Sequence, residues 1–331
     1  MKRLKLIFSL CLIVMSGCQT RVEQIHLEGF AQGTYYSIRY YDPLNRNLQT
    51  AIDSILSDFD KTASIYDETS IISRINRNED NNILLNDDFK QLFAFSMEVS
   101  RQTQGAFDIT VGQLVNAWGF GNEKRQNMTN EKIDSLLDCV GYDKVILKDN
   151  QLIKQHPCIK LDFNAIAQGY SVDKLGIYFD SLHIDNYLID IGGEILAKGN
   201  KKGESWQVGV ERPADKKEMQ RQLITSIVLN DKALVTSGNY RKYYEENGMR
   251  IAHTISPESG YPVENGLLSV TVLHDCATFA DAYATAFMVM GVEASIEFIK
   301  KHRGMDAFFI YQKADSVYTC ATEGFQRLIK E

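Results

Sequence analysis

Apolar positions recur along this chain with two different periods, which predicts a protein of mixed helices and strands. Positions 27–41 are rich in β-branched and aromatic residues around Gln32-Gly33, which predicts two strands joined by a turn. Apolar residues at helical spacing predict helices at 48–61, 87–103, 129–140, 165–182, 239–247, 277–290 and 292–302. Further strands are predicted near 144–148, 158–162, 186–191, 205–210, 222–230, 266–274, 307–311 and 316–320.

The order of these elements indicates the fold class. They do not alternate with a regular βαβ period, so an α+β protein of mixed or antiparallel sheets with packed helices is favoured over a doubly wound fold. No repeat, charge block or Gly/Ser-rich linker divides the body into separate parts. We therefore expect one domain over residues 27–331.

The N-terminus has the pattern of a targeting segment. Lys2, Arg3 and Lys5 precede an apolar run at 6–15, which is too short to span a bilayer because a spanning helix takes ~20 residues. The run ends in Ser16-Gly17-Cys18, which resembles a bacterial lipobox; ordinary signal cleavage beside an incidental cysteine is the alternative.

We expect residues 1–17 to be a lipoprotein signal peptide and 18–26 to be a short tether. Acylation of Cys18 would anchor the protein to a membrane through its lipid chains. The expected location is the bacterial cell envelope, at the inner membrane and facing the periplasm.

Charge excludes one class of partner. The formal net charge of the 331 residues is −7, and removal of the three basic residues in the signal segment takes it to −10. Nucleic-acid-binding proteins carry a basic excess, so we expect no nucleic-acid partner. The chain also contains neither G-x-G-x-x-G nor G-x-x-x-x-G-K-[ST], the two common nucleotide-binding loops.

The body of the chain contains Cys139, Cys158, Cys276 and Cys320, with no C-x-x-C pair. Structural zinc sites usually show paired cysteine spacing, so none is indicated. An exported compartment permits disulfides, but the spacing does not choose among three pairings or none. We expect buried free thiols.

Several polar residues lie where chemistry could take place. Thr236-Ser237-Gly238-Asn239 ends an apolar strand before a predicted helix, a junction that either cradles an anion or is a simple helix cap. His253 follows a short strand and is either structural or a proton-transfer group. Asp162 ends a predicted strand, where it either caps the next helix or accepts a ring N–H from a ligand.

Asp281 and Thr285 are four residues apart in an alanine-rich helix, so a carboxylate and a hydroxyl share one face. Oxygen ligands of this kind suit Mg²⁺; the alternative is a hydrogen bond between the two side chains. Residues 105–112 and 118–121 mix glycines with aromatic residues, a combination that permits either stacking on a flat ring or core packing.

Together these segments resemble the ApbE family of FAD:protein FMN transferases. The matching segments occur in the family's order from about residue 28 to residue 291, which is most of the chain. They are Gln32-Gly33-Thr34-Tyr35, Ser64-Ile65-Tyr66 with Ser70 and Asn76, 107–112, 116–121, 162–173, 191–193, 236–241, 253–262 and 280–285. A lipidated, exported form is also common in that family.

The resemblance implies an ApbE-like fold with the FAD site in a cleft between lobes, and a Mg²⁺-dependent reaction. FAD would be cleaved at its pyrophosphate, FMN would be esterified to a Ser or Thr hydroxyl of an acceptor protein, and AMP would leave. The implied acceptors are exported or membrane-bound electron-transfer flavoproteins, such as subunits of sodium-pumping NADH:quinone reductase or Rnf-like complexes.

The resemblance also implies the roles of individual residues. The implied FAD contacts are Gln32, Tyr66, Ala106, Phe107, Asp108, Asp162, Gln168 and Ile255. The implied Mg²⁺ ligands are the Asp281 carboxylate, the Thr285 hydroxyl and backbone oxygens near Ala165 and Ala284, and His253 is the implied base. The chain departs from the family pattern at Gln32, which is usually Met, at Gln168, often Lys or Glu, at Ser256, usually Asp, and at Ala284, which is Asp in some relatives.

Two other functions are consistent with the same residues. A Mg²⁺-dependent FAD pyrophosphatase would use water in place of the protein hydroxyl and give FMN and AMP. A flavin-binding lipoprotein without turnover would bind FAD and release no AMP.

Overall fold

A large antiparallel sheet forms the centre of the protein. The computed structural model describes residues 22–79, 83–213, 223–239, 243–246 and 249–330. The strands are β1 (Gln24–Ala31), β2 (Thr34–Tyr41), β3 (Val145–Lys148), β4 (Gln151–Lys154), β5 (Tyr187–Ile191), β6 (Glu194–Lys198), β7 (Trp206–Glu211), β8 (Leu223–Leu229), β9 (Lys232–Gly238), β10 (Tyr243–Glu246), β11 (Met249–Ala252), β12 (Leu267–His274), β13 (Asp306–Lys313), β14 (Ser316–Ala321) and β15 (Ile329–Lys330).

The central sheet has eight strands in the order β1-β2-β5-β6-β9-β12-β13-β14. Every neighbouring pair in it is antiparallel. A three-stranded sheet, β15-β8-β7, and two hairpins, β3-β4 and β10-β11, complete the β-structure of the described residues. The antiparallel sheets and packed helices confirm the predicted α+β class.

Most of the helices pack on one face of the central sheet, and the short helix that carries Phe325 packs on the other, where its ring stacks on Phe308. The helices are α1 (Gln49–Ala63), α2 (Ile71–Asn76), α3 (Asp87–Gln102), α4 (Gly112–Ala117), α5 (Asn130–Leu137), α6 (Ala167–Ser181), α7 (Ala277–Met290), α8 (Val292–Lys301) and α9 (Glu323–Gln326). Side chains alternate along each strand. Phe309 therefore joins the core beneath the helices, whereas Phe308 and Ile310 join a second core against the small sheet.

The predicted signal segment 1–17 and the predicted acylation site Cys18 lie outside the described residues. Of the helices that the structure describes, none is sufficiently long and apolar to cross a bilayer.

The helix predicted at 239–247 is wrong where the structure describes that range. Residues 243–246 form β10, whose register with β11 runs from Tyr243 opposite Ala252 to Glu246 opposite Met249. Aromatic residues such as Tyr243 and Tyr244 favour strands, and Asn-Gly is a preferred hairpin dipeptide. The helical spacing of the apolar residues was therefore the weaker signal.

The strand predicted at 158–162 is also wrong. The Leu161 N–H donates to the Asn76 side-chain oxygen at 2.8 Å, and the Asp162 N–H donates to the Ile109 carbonyl at 2.8 Å. A side chain and a neighbouring loop thus take the place of a strand ladder. Most other predicted elements are present with small shifts in their ends, while the short α2, α4 and β6 have no clear periodicity.

Helices α6 and α7 approach each other closely at Gly169. A Cβ atom on Gly169 would lie 2.4 Å from the Ala277 carbonyl oxygen and 2.8 Å from the Asp281 Cβ. Only glycine leaves room for this approach, because a carbonyl oxygen of a packed helix cannot move aside as the tip of a side chain can. The close approach determines how the side chains of α7 face the start of α6.

We expect Gly169→Ala to lower the free energy of unfolding by about 1–3 kcal/mol, because the backbone clash outweighs the ~1 kcal/mol by which alanine favours a helix. Gly176→Ala on the same helix is the matched control. Its Cβ would meet the tip of the Leu196 side chain at 2.6 Å, so we expect a smaller loss. Urea unfolding of both variants measures the difference, and wild-type stability of Gly169→Ala would contradict the close approach.

Candidate active site

One edge of the central sheet brings together three of the glycine-containing segments. Because neighbouring strands are antiparallel, the Gln32-Gly33 turn, the Gly192-Gly193 turn and the end of β9 at Gly238 lie on the same edge. The turns need a positive φ, which is +73° at Gly33 and +69° at Gly192. The Gly192 N–H donates to the Tyr35 carbonyl at 3.0 Å and so joins the first two turns.

Gln32 directs its side chain from the hairpin toward the helices. Its Nε2 donates to the Ser171 hydroxyl on α6 at 2.6 Å, and it also bonds Asp60 on α1. Burial raises the pKa of Asp60, and this hydrogen bond opposes the rise. The Gln168 amide lies beside the Gly192 turn, 3.2 Å from where a Cβ on that glycine would be. The sheet edge therefore meets the N-terminal turn of α6.

Asp162 does not cap a helix, contrary to one of its two predicted roles. Its carboxylate accepts the Asn164 N–H at 2.8 Å in a local turn, several residues before α6 begins. Tyr66 lies beside it. Partial burial, followed by the charge of Asp162, raises the pKa of the Tyr66 hydroxyl, which also bonds Asn164. The Tyr66 side chain is still 64% exposed, which leaves its ring available for stacking.

Asp108 is buried and its carboxylate is already bonded by the protein. It accepts the Thr110 N–H at 2.7 Å, the Thr110 hydroxyl at 2.6 Å and the Tyr142 N–H at 2.7 Å. Burial raises the pKa of Asp108, and these bonds oppose the rise. Phe107 is buried in the main core and Ala106 packs against that core, so this segment is firmly held.

The expectation of free thiols is wrong for two cysteines. Cys139 and Cys158 form a disulfide with a Cα–Cα distance of 5.6 Å, while Cys276 and Cys320 are free. Sequence spacing could not select this pair, because the end of α5 and the 158–162 segment meet only in the folded chain. Cys139 precedes Tyr142, whose N–H donates to Asp108, and Cys158 precedes Asp162. The disulfide thus connects residues close to both carboxylates.

His253 and Ile255 belong to a different part of the site. The His253 ring lies edge-on to Phe120, with 6.3 Å between ring centroids, and Ile255 packs in a cluster with Trp118. Further along the same loop, the Asn122 amide donates to the Ile65 carbonyl, next to Tyr66, at 2.6 Å. The 118–122 loop therefore connects the region of His253 to the region of Tyr66.

Two cavities flank this loop. One, of about 220 Å³, is lined by polar residues that include Asn122, Lys160 and Asp162. The other, of about 440 Å³, is lined by residues that include Trp118 and Tyr261. The arrangement offers polar groups on one side of the loop and aromatic surface on the other.

The described residues after β9 form β10 and not the predicted helix, so the helix-cap alternative is wrong where the structure describes this range, while the anion-binding alternative stays a prediction. Thr236 bonds the Thr271 hydroxyl on β12 at 2.8 Å, and Asn239 accepts the Thr254 hydroxyl at 2.6 Å. The first bond joins β9 to β12, and the second connects the end of β9 to the loop that carries His253.

Asp281 lies against the N-terminus of α6. Its carboxylate accepts the Gly169 N–H at 3.0 Å, and only 5% of the residue is exposed. Burial, together with the negative charge of Asp173, raises the pKa of Asp281 to about 7, whereas the Gly169 bond acts in the opposite direction. Ala284 is buried and Thr285 is half-buried one turn further along α7.

Sequence reasoning missed the role of Asp173. The residue before α7, Cys276, provides no side-chain cap. Asp173 on α6 caps α7 in its place: it accepts the Ala277 N–H at 2.9 Å, the Thr278 N–H at 2.8 Å and the Thr278 hydroxyl at 2.6 Å. A predicted helix start without a capping residue was the available signal, since an orphaned helix N-terminus needs a partner elsewhere.

The predicted cation ligands fit a hard cation chemically. Across the described residues, no group of three or more His, Cys, Asp and Glu side chains is placed to hold a metal ion. The predicted set is of another kind, with one carboxylate, one hydroxyl and backbone oxygens. A positive ion beside Asp281 would offset a buried charge that has Asp173 as a negative neighbour. We conclude that this donor set suits an oxygen-preferring cation.

Comparison with known proteins gives matches over most of this chain. The model of the ApbE family matches residues 32–309. A FAD:protein FMN transferase of Haemophilus influenzae is 35% identical over 328 residues, covering 95% of this chain and 94% of the relative. One from Vibrio cholerae serotype O1 is 36% identical over 290 residues, covering 85% and 86%.

Solved structures of the same family superpose closely. The flavin transferase ApbE from Vibrio cholerae gives a TM-score of 0.83 at 32% identity, covering 93% of this chain and 99% of that chain. The apo form of the Pseudomonas stutzeri flavinyl transferase ApbE gives 0.82 at 30% identity, covering 93% and 97%.

The fold and the named relatives together thus define an α+β enzyme of the transferase class. The chain belongs to the ApbE family, and the resemblance drawn from its sequence is confirmed.

The disulfide gives a prediction for this site. We expect the double variant Cys139→Ser/Cys158→Ser to lose about 3 kcal/mol of stability, as a closed loop of this size contributes by restricting the unfolded chain. Because the disulfide connects neighbours of both Asp108 and Asp162, we also expect weaker FAD binding in a fluorescence titration. Cys320→Ser, at the free cysteine on β14, is the control, and equal FAD affinity in the double variant and the control would contradict the link.

Proposed function

We propose that this chain transfers the FMN part of FAD to a serine or threonine hydroxyl of an acceptor protein and releases AMP, in a Mg²⁺-dependent reaction. Family membership and the names of the relatives support the flavin transfer. One observation carries the proposed metal dependence. The Asp281 carboxylate is buried against the first turn of α6. The 162–169 segment, which ends in that turn, also carries Asp162, Ala165 and Gln168.

The reaction is a displacement at phosphorus. The acceptor oxygen forms a bond to the FMN phosphorus, the bond from that phosphorus to the AMP oxygen breaks, and AMP leaves with the bonding electrons. Such a transfer depends on positioning of the reactants and on neutralisation of charge. Mg²⁺, held by Asp281, Thr285 and the backbone oxygens of Ala165 and Ala284, would supply that neutralisation at the pyrophosphate oxygens.

The acceptor hydroxyl must lose its proton as the new bond forms. We assign this proton to His253, because histidine exchanges a proton near neutral pH. His253 contacts Phe120, and the loop that carries Phe120 bonds through Asn122 to the carbonyl of Ile65, next to Tyr66. This location supports a role for His253 beside the flavin substrate.

The proposed flavin contacts fall into two kinds. Gln32, Tyr66, Asp162 and Gln168 lie around the sheet edge and the smaller cavity, where a ligand could reach them. Ile255 is buried in the cluster with Trp118. Asp108, with Ala106 and Phe107, lies in a segment held by its own hydrogen bonds and core packing. We therefore propose that Asp108 fixes the conformation of the segment that carries Ala106 and Phe107, two of the proposed flavin contacts.

The acceptors we propose are exported or membrane-bound electron-transfer flavoproteins, of the kind found in sodium-pumping NADH:quinone reductase or Rnf-like complexes. The predicted lipoprotein signal peptide supports this choice, since enzyme and acceptor must share a compartment.

The test is the intact mass of a candidate acceptor domain after incubation with the protein, FAD and Mg²⁺. We expect a gain of one FMN with release of AMP, and no gain with EDTA or with Asp281→Asn. An acceptor whose target hydroxyl residue is replaced by alanine is the control. AMP and free FMN with an unmodified acceptor would indicate a pyrophosphatase, and intact bound FAD would indicate a carrier; either contradicts the proposal.

In the same assay, we expect His253→Ala to slow transfer by about 10²–10⁴-fold while FAD affinity stays near that of the wild type, as for loss of a general base. Parallel loss of transfer and FAD affinity would instead identify a structural histidine.

We also propose that acylated Cys18 anchors the protein to the inner membrane, facing the periplasm. Cys18→Ser should move the protein from the membrane fraction to the soluble fraction, because the lipid chains would be absent. Cys11→Ser, which lies in the predicted apolar run, is the control and should leave the protein at the membrane. Membrane recovery of Cys18→Ser would refute the anchor.

A further inference from the structure

The carboxylate of Asp173 lies one helical turn along α6 from Gly169 and is used entirely for another helix. It accepts two backbone N–H groups and the Thr278 hydroxyl at the start of α7, and the Cys276 thiol donates to it at 2.9 Å. Burial and the charge of Asp173 raise the pKa of Cys276 to about 12, so this thiol keeps the proton that it donates. None of these contacts belongs to the transfer reaction itself.

The cap made by Asp173 and the cap made by Asp281 form a reciprocal pair. Gly169 and Asp173 are four residues apart on one face of α6, and Ala277 and Asp281 are four residues apart on one face of α7. The helices are antiparallel, so Asp173 bonds the Ala277 N–H while Asp281 bonds the Gly169 N–H. A slide or rotation of α7 along α6 would break both caps together.

The contact at Gly169 restricts a further movement of α7, its approach toward α6. With a virtual Cβ only 2.4 Å from the Ala277 carbonyl, α7 has no room to move toward α6. The caps resist sliding and the contact resists closer approach. Asp173 bonds the start of α7, one helical turn before Asp281. It therefore sets the position of Asp281 and Thr285 relative to the turn at Ala165.

We propose that Asp173 is a positioning residue for the cation site: it fixes α7 along α6, and thereby determines cation affinity without binding the cation itself. This inference rests on the cation dependence in the proposed function. Residues that orient metal ligands commonly change metal affinity by about 10–100-fold when they are replaced.

The experiment compares Asp173→Ala, Asp173→Asn and the matched control Asp180→Asn. Asp180 lies on the same helix, where it accepts the Tyr187 hydroxyl at 3.1 Å and pairs with Lys198 at 2.9 Å, away from α7. The dissociation constants of Mg²⁺ and Mn²⁺ are measured by calorimetry on the full protein without FAD. Thermal unfolding of each variant is measured in parallel.

We expect Asp173→Ala to raise the cation dissociation constant by about 10–100-fold. Asp173→Asn should have a smaller effect, because its remaining side-chain oxygen can still accept one of the two N–H groups. Asp180→Asn should leave the dissociation constant unchanged even where it lowers the unfolding temperature. Wild-type cation affinity in Asp173→Ala, or an equal loss in Asp180→Asn, would overturn the proposal.

Hydrogen exchange at the Gly169 amide gives a readout that needs no cation. This amide reports the position of Asp281, so we expect faster exchange in Asp173→Ala and not in Asp180→Asn; unchanged protection would overturn the proposal even if the protein bound no Mg²⁺. Absence of flavin transfer in a protein whose cation affinity depends on Asp173 would contradict the proposed function alone.

Discussion

The site depends on two carboxylates that are exchanged between neighbouring helices. The Asp173 side chain on α6 caps α7, and the Asp281 side chain on α7 accepts the N–H of the third residue of α6. A side-chain cap contributes about 0.5–2 kcal/mol, whereas removing a carboxylate from water costs several kcal/mol. Asp281 is buried and bears this cost, while Asp173 is only partly buried, so the exchange adds less stability than its hydrogen bonds alone would. Its main effect is to fix where the beginnings of the two helices lie.

The contact between the starts of α6 and α7 connects the fold to the proposed site. The 162–169 segment runs from Asp162, beside Tyr66, to Gly169, beside Asp281, and Gln168 within it reaches the turn at Gly192. The proposed flavin contacts Asp162 and Gln168 and the backbone that meets Asp281, the proposed cation ligand, are thus parts of one continuous segment. Because that segment has no strand ladder of its own, Asn76, Ile109 and the nearby disulfide hold it in place.

The sequence predicted much of this arrangement, and its failures have identifiable causes. The turn at Gln32-Gly33, the helix carrying Asp281 and the family all followed from local spacing and motif order. The helix predicted at 239–247 failed because apolar spacing outweighed the strand preference of Tyr243 and Tyr244. The disulfide could not be found, because residues 139 and 158 are brought together by the packing of α5 against a loop.

What the sequence determined by itself is local: which segments are helices or strands, where glycine must take a positive φ, and which ordered motifs identify the family. Tertiary structure alone decided which carboxylate meets which helix. Asp173 reads as an ordinary polar position of an amphipathic helix, and its role exists only once α7 lies antiparallel beside it. Hydrogen-bond partners distant in sequence carry no periodic signal, so only the folded chain defines them.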